Sequence, residues 1–157
     1  MGGRSGFCHS RGGQFLEASH LTKVYRVGGE SVYALRDVDF VARQGDFVVV
    51  NGPSGSGKTT FLNLVAVIDR PTSGEVFLEG EATSGQSERQ LAALRRVKIG
   101  LVFQSFNLIP VLTAAENVEY PLLLQRVPSA ERRARVRALL DEVGLAELAR
   151  RRPGELS

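Results

Sequence analysis

The chain has 157 residues, of which 43% are hydrophobic and 24% are charged, and its 20 Lys and Arg residues against 17 Asp and Glu residues give a net charge of +3. These proportions are typical of one globular domain and exclude a disordered, fibrous or low-complexity chain. No stretch approaches the roughly 20 apolar residues of a membrane-spanning helix, so we expect that the chain does not cross a membrane. Cys8 is the only cysteine, which excludes an internal disulfide and any multi-cysteine metal site.

The first 14 residues are rich in glycine and contain no continuous apolar stretch. They lack the pattern of a secretory signal, which places the chain in the cytosol. We predict a flexible extension over residues 1–14, either a working segment or a misassigned start, and a folded domain over residues 15–157.

Four strands are predicted before the phosphate-binding loop. Residues 22–27 and 31–35 flank Gly28 and Gly29 with the spacing of a β-hairpin, and residues 38–41 form a further strand. Residues 47–50, Phe-Val-Val-Val, are typical of a central parallel strand that is buried on both faces.

A phosphate-binding loop follows directly. The pattern Gly52-x-x-x-x-Gly57-Lys58-Thr59 lies between this predicted strand and a segment with helical apolar spacing. In such a loop the backbone N–H groups and the helix N-terminus bind phosphate, Lys58 reaches the β- and γ-phosphates, and the Thr59 hydroxyl binds Mg²⁺. The alternative is a flexible glycine turn. The predicted nucleotide-binding residues of this loop are Gly52, Pro53, Ser54, Gly55, Ser56, Gly57, Lys58, Thr59 and Thr60.

The remainder of the chain predicts two strands and two further helices. Strands are expected at residues 75–78 and 99–103. One helix opens with the capping box of residues 87–90; the other follows a Ser129 cap and ends at Gly144. Between them, the chain after Gln104 is predicted to be a loop. The second helix should bury Val136, Leu139, Leu140 and Val143.

Five segments together resemble the ATPase of ATP-binding-cassette (ABC) transporters, in the branch that serves lipoprotein release and macrolide export. They are residues 21–25, 33–35, 52–60, 70–75 and 99–108. The resemblance implies an α/β fold of the P-loop NTPase class, ABC type. Its parts would be an N-terminal antiparallel β-subdomain, a partial parallel core sheet with the P-loop helix, and the start of a helical subdomain over about residues 105–157, with the C-terminal half of the fold absent.

The resemblance also implies ATP and Mg²⁺ as ligands and assigns roles to two residues outside the loop. Tyr25 falls where the family stacks an aromatic ring on adenine; from the residues alone, an ordinary strand aromatic is favoured. Gln104 falls on the glutamine that touches Mg²⁺ and the attacking water, or is a surface loop residue. The implied catalytic pair is therefore Lys58 and Gln104, and the implied metal-binding pair is Thr59 and Gln104.

The implied partners are a membrane permease and a second ATP-binding subunit, with the protein peripheral on the inner face of the cell membrane. A hydrophobic group comprising Phe106, Leu108, Ile109 and Pro110 is predicted either to dock the permease or to form the core of the helical subdomain. The arginines between residues 126 and 152 have no interleaved aromatic residues, so a solvated helix face is favoured over a nucleic-acid groove.

The sequence ends at Glu155-Leu156-Ser157, where the family continues into its signature motif, the Walker B aspartate, the catalytic glutamate and the switch histidine. We therefore expect this chain alone to bind nucleotide at most and to leave residues 47–50 without neighbouring strands. The predicted function is the ATP-binding subunit of an ABC transporter. The alternatives are a nucleotide-binding or interaction module that does not hydrolyse ATP, and a DNA-associated ABC-type ATPase.

Overall fold

The computed structural model describes residues 14–156, and the chain divides into two compact units, Met1–Leu91 and Ala92–Ser157. The predicted extension and Cys8 lie outside the described residues, except for Gln14, which is already part of a strand. The predicted domain bounds remain predictions.

The first unit is built on an antiparallel sheet of four strands. They are β1 (Gln14–Val27), β2 (Glu30–Arg43), β3 (Ser73–Leu78) and β4 (Glu81–Ala82), in the order β2-β1-β3-β4. The predicted hairpin is confirmed: Gly28 and Gly29 both have positive φ and join β1 to β2.

The predicted separation of residues 31–35 from residues 38–41 is wrong, because β2 runs through both segments without a break. The β1–β2 register shifts around the pair Leu21 and Val38. Beside this shift, His20 and Asp37 adopt φ values of 52° and 50°. A β-bulge of this kind absorbs an irregularity while the strand continues, and the sequence pattern alone resembles two strands.

One short helix covers the sheet. Helix α1 (Lys58–Val65) buries Phe61 and Leu64 against it. The rings of Phe61 and Phe40 meet edge to face, with centroids 5.3 Å apart and an interplanar angle of 86°. Burying a side chain of this size contributes about 1.5–3 kcal/mol, so this contact holds the start of α1 on β2. The buried core comprises Ala18, Leu21, Leu35, Phe61, Leu64 and Val76.

Two of the predicted strands are not formed. Residues 47–50 and 99–103 lie in irregular backbone within the described part of the chain. Phe47 is 92% exposed and Val49 73% exposed, so the prediction of a strand buried on both faces is wrong for these residues. β-Branched apolar runs become strands only where a neighbouring edge accepts their backbone hydrogen bonds, and residues 14–156 place none beside them.

Helix α2 (Glu88–Lys98) begins as predicted: Gln90 N donates to Ser87 Oγ, and the Gln90 side chain accepts from Ser87 N. The second unit contains α3 (Ala114–Leu124) and α4 (Ser129–Glu142), followed by short 3₁₀ turns at Ala146–Leu148 and Pro153–Glu155. Across residues 14–156, no helix has the length and apolar character needed to span a membrane.

Helix α3 lies in the segment predicted to be a loop, and α4 begins one residue before its predicted start. The cap of α4 is Pro128, and Ser129 is its first helical residue. On the predicted apolar face of α4, Val136 and Leu140 are buried, whereas Leu139 and Val143 are exposed. Gly144 follows the helix with φ 71°, as predicted for a terminating glycine.

Candidate functional site: the phosphate loop

The loop from β2 to α1 is shaped by close backbone approaches at two glycines. Gly57, the residue that caps α1, has φ 87°, and a Cβ there would lie 2.4 Å from the carbonyl oxygen of Ala34 on β2. A Cβ on Gly52 would lie 2.8 Å from Ser56 Oγ. At Gly57 the close atom belongs to the backbone, so the packing of the loop on β2 requires glycine there. At Gly52 the close atom is the end of a serine side chain, which can rotate, and it is the φ of 155° that favours glycine.

The start of α1 presents unpaired donors. No side chain caps the helix, and its first turn contains no acidic residue. The first intrahelical bond runs from Phe61 N to Gly57 O, at 2.8 Å. The backbone N–H groups of residues 57–60 have no protein acceptor within the described part of the chain. Together with the helix dipole, these donors form an anion-binding arrangement at the position that the motif predicts.

Lys58 folds back over the loop that precedes it. Its Nζ donates to the carbonyl oxygens of Gly52, at 2.9 Å, and Pro53, at 2.7 Å. An ammonium group has three donors, so one remains for an anion while the other two hold the loop closed. The side chain thereby places a full positive charge beside the unpaired N–H groups.

The other loop residues differ in exposure. Ser54, Gly55, Ser56 and Thr59 are exposed or nearly so, and Thr60 is half-buried. Among residues 14–156, no cluster of three or more His, Cys, Asp or Glu side chains could hold a metal ion. The Thr59 hydroxyl is exposed at the start of α1, and a hydroxyl oxygen is a donor of the kind that Mg²⁺ accepts.

A small cavity of about 200 Å³ opens beside the loop. It is lined by Leu35, Val38, Val50, Asn51, Ser56, Gly57, Lys58 and Phe61. A larger cavity of about 540 Å³ lies among α3, α4 and the turn after α4, and it contains no predicted site residue. The candidate site is therefore identified by the hydrogen-bond donors at the start of α1, and not by the size of the cavity.

Tyr25 is fixed by its hydroxyl group. Its Oη donates to Asp69 Oδ2 at 3.1 Å, and the ammonium of Lys23 lies 5.1 Å from its ring centroid. Lys23 Nζ also binds Asp69 Oδ1 at 2.7 Å. Partial burial alone would raise the pKa of Asp69, but the hydrogen bonds from Lys23, the Arg70 backbone and Tyr25 together lower that pKa.

The bond between Tyr25 and Asp69 is compatible both with a structural role for Tyr25 and with stacking of its ring on adenine. The bond to Asp69 gives the residue a structural function, because it ties β1 to the segment after α1. The ring remains 38% exposed, so part of its surface is open to a base. The Lys23–Asp69 pair spans 46 sequence positions, and no local pattern in the sequence predicts it.

Gln104 and the predicted docking residues belong to the second unit. Gln104 is exposed in irregular backbone, and Phe106 is 91% exposed. Ile109 is half-buried, and both its backbone N–H and its carbonyl group bind the side chain of Asn117 on α3. Phe106 is therefore not a core residue of this unit, whereas Ile109 is anchored to it.

The sequence profile that describes the ABC transporter family matches residues 35–157. This chain belongs to that family. It is 47% identical over 142 residues to an ABC transporter ATP-binding protein of Thermotoga maritima, a match that covers 90% of this chain and 61% of the relative. It is 41% identical over 146 residues to the macrolide export ATP-binding/permease protein MacB of Brucella abortus, covering 93% of this chain and 23% of that protein.

Solved structures agree with the family assignment. The ATP-binding cassette MJ0796 of Methanocaldococcus jannaschii, a dimer bound to ADP and phosphate, superposes with a TM-score of 0.84 at 42% identity, covering 90% of this chain and 63% of that one. The predicted family and ABC-type fold class are thus confirmed. The chain spans about three fifths of the length of the single-cassette relatives that it matches.

Proposed function

We propose that this chain is the ATP-binding part of an ABC transporter, which couples ATP binding and hydrolysis to transport by a separate membrane permease. The observation that carries the proposal is the start of α1, where unpaired N–H groups and the Lys58 ammonium converge on a loop closed by glycine packing. Family membership supports it, because nucleotide binding is the property that such a loop serves.

Within the loop, the residues have distinct tasks. The N–H groups of residues 57–60 bind phosphate oxygens, and Lys58 balances the charge of the β- and γ-phosphates. The Thr59 hydroxyl holds Mg²⁺, which neutralises charge on the phosphates when bound. The resemblance to the family adds Gln104 as a second group toward the metal and Tyr25 as the aromatic ring at adenine.

The remaining partners follow from the relatives. MacB is named as an ATP-binding/permease protein, and the MJ0796 cassette is named as a dimer. By analogy this chain works with a permease and a second ATP-binding subunit, on the inner face of the cell membrane. The exposure of Phe106 supports a docking surface that includes Leu108, Ile109 and Pro110.

Binding of a fluorescent ATP analogue to the Lys58→Ala variant tests this function. The variant removes the charge from the loop and both bonds that close it, so we expect binding to fall below detection. Arg89→Ala is the matched control, because it also removes one positive charge from the first unit but lies on α2 with an exposed side chain. An unchanged dissociation constant in Lys58→Ala, or equal losses in both variants, would refute the assignment.

A further inference from the structure

The loop that carries the predicted docking residues, here called the docking loop (residues 105–112), is fastened to α3 by one side chain. Asn117 Oδ1 accepts from Ile109 N at 2.8 Å. Asn117 Nδ2 lies within hydrogen-bond distance of Ile109 O at 3.2 Å, Leu112 O at 3.1 Å and Thr113 O at 3.0 Å. A single amide thus holds the docking loop at Ile109 and Leu112, and its two Nδ2 hydrogens are shared among these two carbonyl groups and that of Thr113.

The same turn of α3 binds a second segment of the chain. Ala114 N donates to Arg151 O at 2.8 Å, and Ala115 N donates to Ala149 O at 2.9 Å. Helices ordinarily begin with N–H groups that lack partners inside the helix. Here the first two are satisfied by the segment 149–155, so the start of α3 is also an attachment point for that segment.

A capping box completes this turn. Glu116 N donates to Thr113 Oγ1 at 3.2 Å, and Thr113 N donates to Glu116 Oε2 at 2.7 Å. The positive charge of Arg152 faces Glu116, and Arg152 N donates to Glu155 Oε2 at 2.8 Å. Ala114 is only 7% exposed, so the first residue of α3 is packed at this junction.

We propose that the first turn of α3 is a junction that holds the docking loop and the segment 149–155 in one arrangement, with Asn117 as its positioning residue. The inference rests on the proposed function, in which the docking loop contacts a permease. A displacement of the docking loop is then transmitted to the segment that leads to Leu156.

The physical reason is that the two attachments share Thr113. Thr113 O accepts from the Asn117 side chain, whereas Thr113 Oγ1 caps the turn whose N–H groups bind residues 149 and 151. Loss of Asn117 removes the side-chain donor from the Leu112 carbonyl group, leaves Ile109 O with its bond from Leu112 N at 3.1 Å, and removes one restraint on Thr113. The cap then loosens, and the bonds to the segment 149–155 weaken with it.

Hydrogen exchange of the whole chain, followed by mass spectrometry, tests the junction. In Asn117→Ala we expect exchange to accelerate by about tenfold in both the docking loop and the segment 149–155, the loss that one net hydrogen bond implies. Thr113→Ala removes the hydroxyl group that caps α3, and it should accelerate hydrogen exchange in the same two segments. Gln125→Ala is the control, because it removes a side-chain bond to Arg96 O at the other end of α3.

Each result decides the proposal. Acceleration of both segments in Asn117→Ala and Thr113→Ala, with α4 and the Gln125→Ala variant unchanged, supports it. Acceleration of the docking loop alone, uniform acceleration that includes α4, or full exchange of both segments in the unsubstituted chain overturns it. Binding of the fluorescent ATP analogue should be unchanged in Asn117→Ala; failure of the unsubstituted chain to bind it would count against the proposed function and not against the junction.

Discussion

Gly57 lies directly against Ala34: a Cβ on Gly57 would stand 2.4 Å from the Ala34 carbonyl oxygen. Backbone atoms cannot move aside as a flexible side chain can, so Gly57→Ala should displace the start of α1 from β2. An alanine at this positive φ, pressed against backbone, costs more than about 1–2 kcal/mol. We therefore expect binding of a fluorescent ATP analogue to weaken at least tenfold. Gly45→Ala is the control, because Gly45 has a similar φ of 88°, has open space around it and lies outside the phosphate loop. If both variants bind ATP equally, the packing of the loop on β2 is unimportant for the site.

Substitutions of Tyr25 can separate stacking on adenine from the structural role of its bond to Asp69. Tyr25→Ala removes the ring, so it should weaken binding of ATP by about 1–3 kcal/mol and leave binding of inorganic triphosphate less affected. Tyr25→Phe keeps the ring and loses only the bond to Asp69, so it should retain most of the affinity for ATP. Titration of all three proteins with both ligands measures this. Equal losses for ATP and triphosphate would leave Tyr25 with a structural role alone.

His20 makes the β1–β2 hairpin sensitive to pH. A hydrogen bond to Asp37, at 2.7 Å, and the charges of Asp39 and Asp37 raise the pKa of His20. A raised folded pKa means that its stabilisation is complete below the unfolded pKa and is lost as the pH rises through the folded pKa. The urea concentration at which the first unit is half unfolded should therefore decrease as the pH is raised from about 6 to about 8. In His20→Gln this dependence should disappear, and its persistence there would assign it to another group.

The apolar segment at residues 47–50 should promote self-association of the isolated chain. Phe47 and Val49 expose more apolar surface than isolated surface residues do, so the chain should bind a hydrophobic dye and associate with rising concentration. Val49→Lys should reduce both effects. Val27→Lys is the control, since Val27 is a similarly exposed apolar residue at the hairpin turn. A chain that stays monomeric and binds no dye would contradict this prediction.

A chimera provides a second measurement of the same property. Joining residues 1–157 to the part of the MJ0796 cassette that lies outside the match supplies the segment that, by the resemblance to the family, should contribute strands beside residues 47–50. We expect this chimera to lose dye binding, because its added strands would cover Phe47 and Val49. Dye binding that is equal in the chimera and in the isolated chain would show that these residues are not a strand position.

The parts of this protein that could be predicted from sequence are those set by neighbouring residues. The curled glycine loop before α1 could be predicted because Gly52, Gly57 and Lys58 act through backbone geometry and charge within one short segment; its binding of phosphate stays a prediction. The hairpin at Gly28 and the cap at Ser87 were predicted for the same reason. The same kind of local pattern could also have predicted helix α3, because the spacing of Thr113 and Glu116 is that of a capping box.

Tertiary structure decided what depends on distant partners. The bulge that joins two predicted strands into β2 requires His20 and Asp37 to face each other, and the anchoring of Tyr25 requires Asp69, 44 positions away. The exposure of residues 47–50 depends on which strands lie beside them and not on their composition. Composition, spacing and charge are local quantities, whereas burial and strand pairing belong to the assembled fold, and this is why the sequence by itself determined the phosphate loop but not its surroundings.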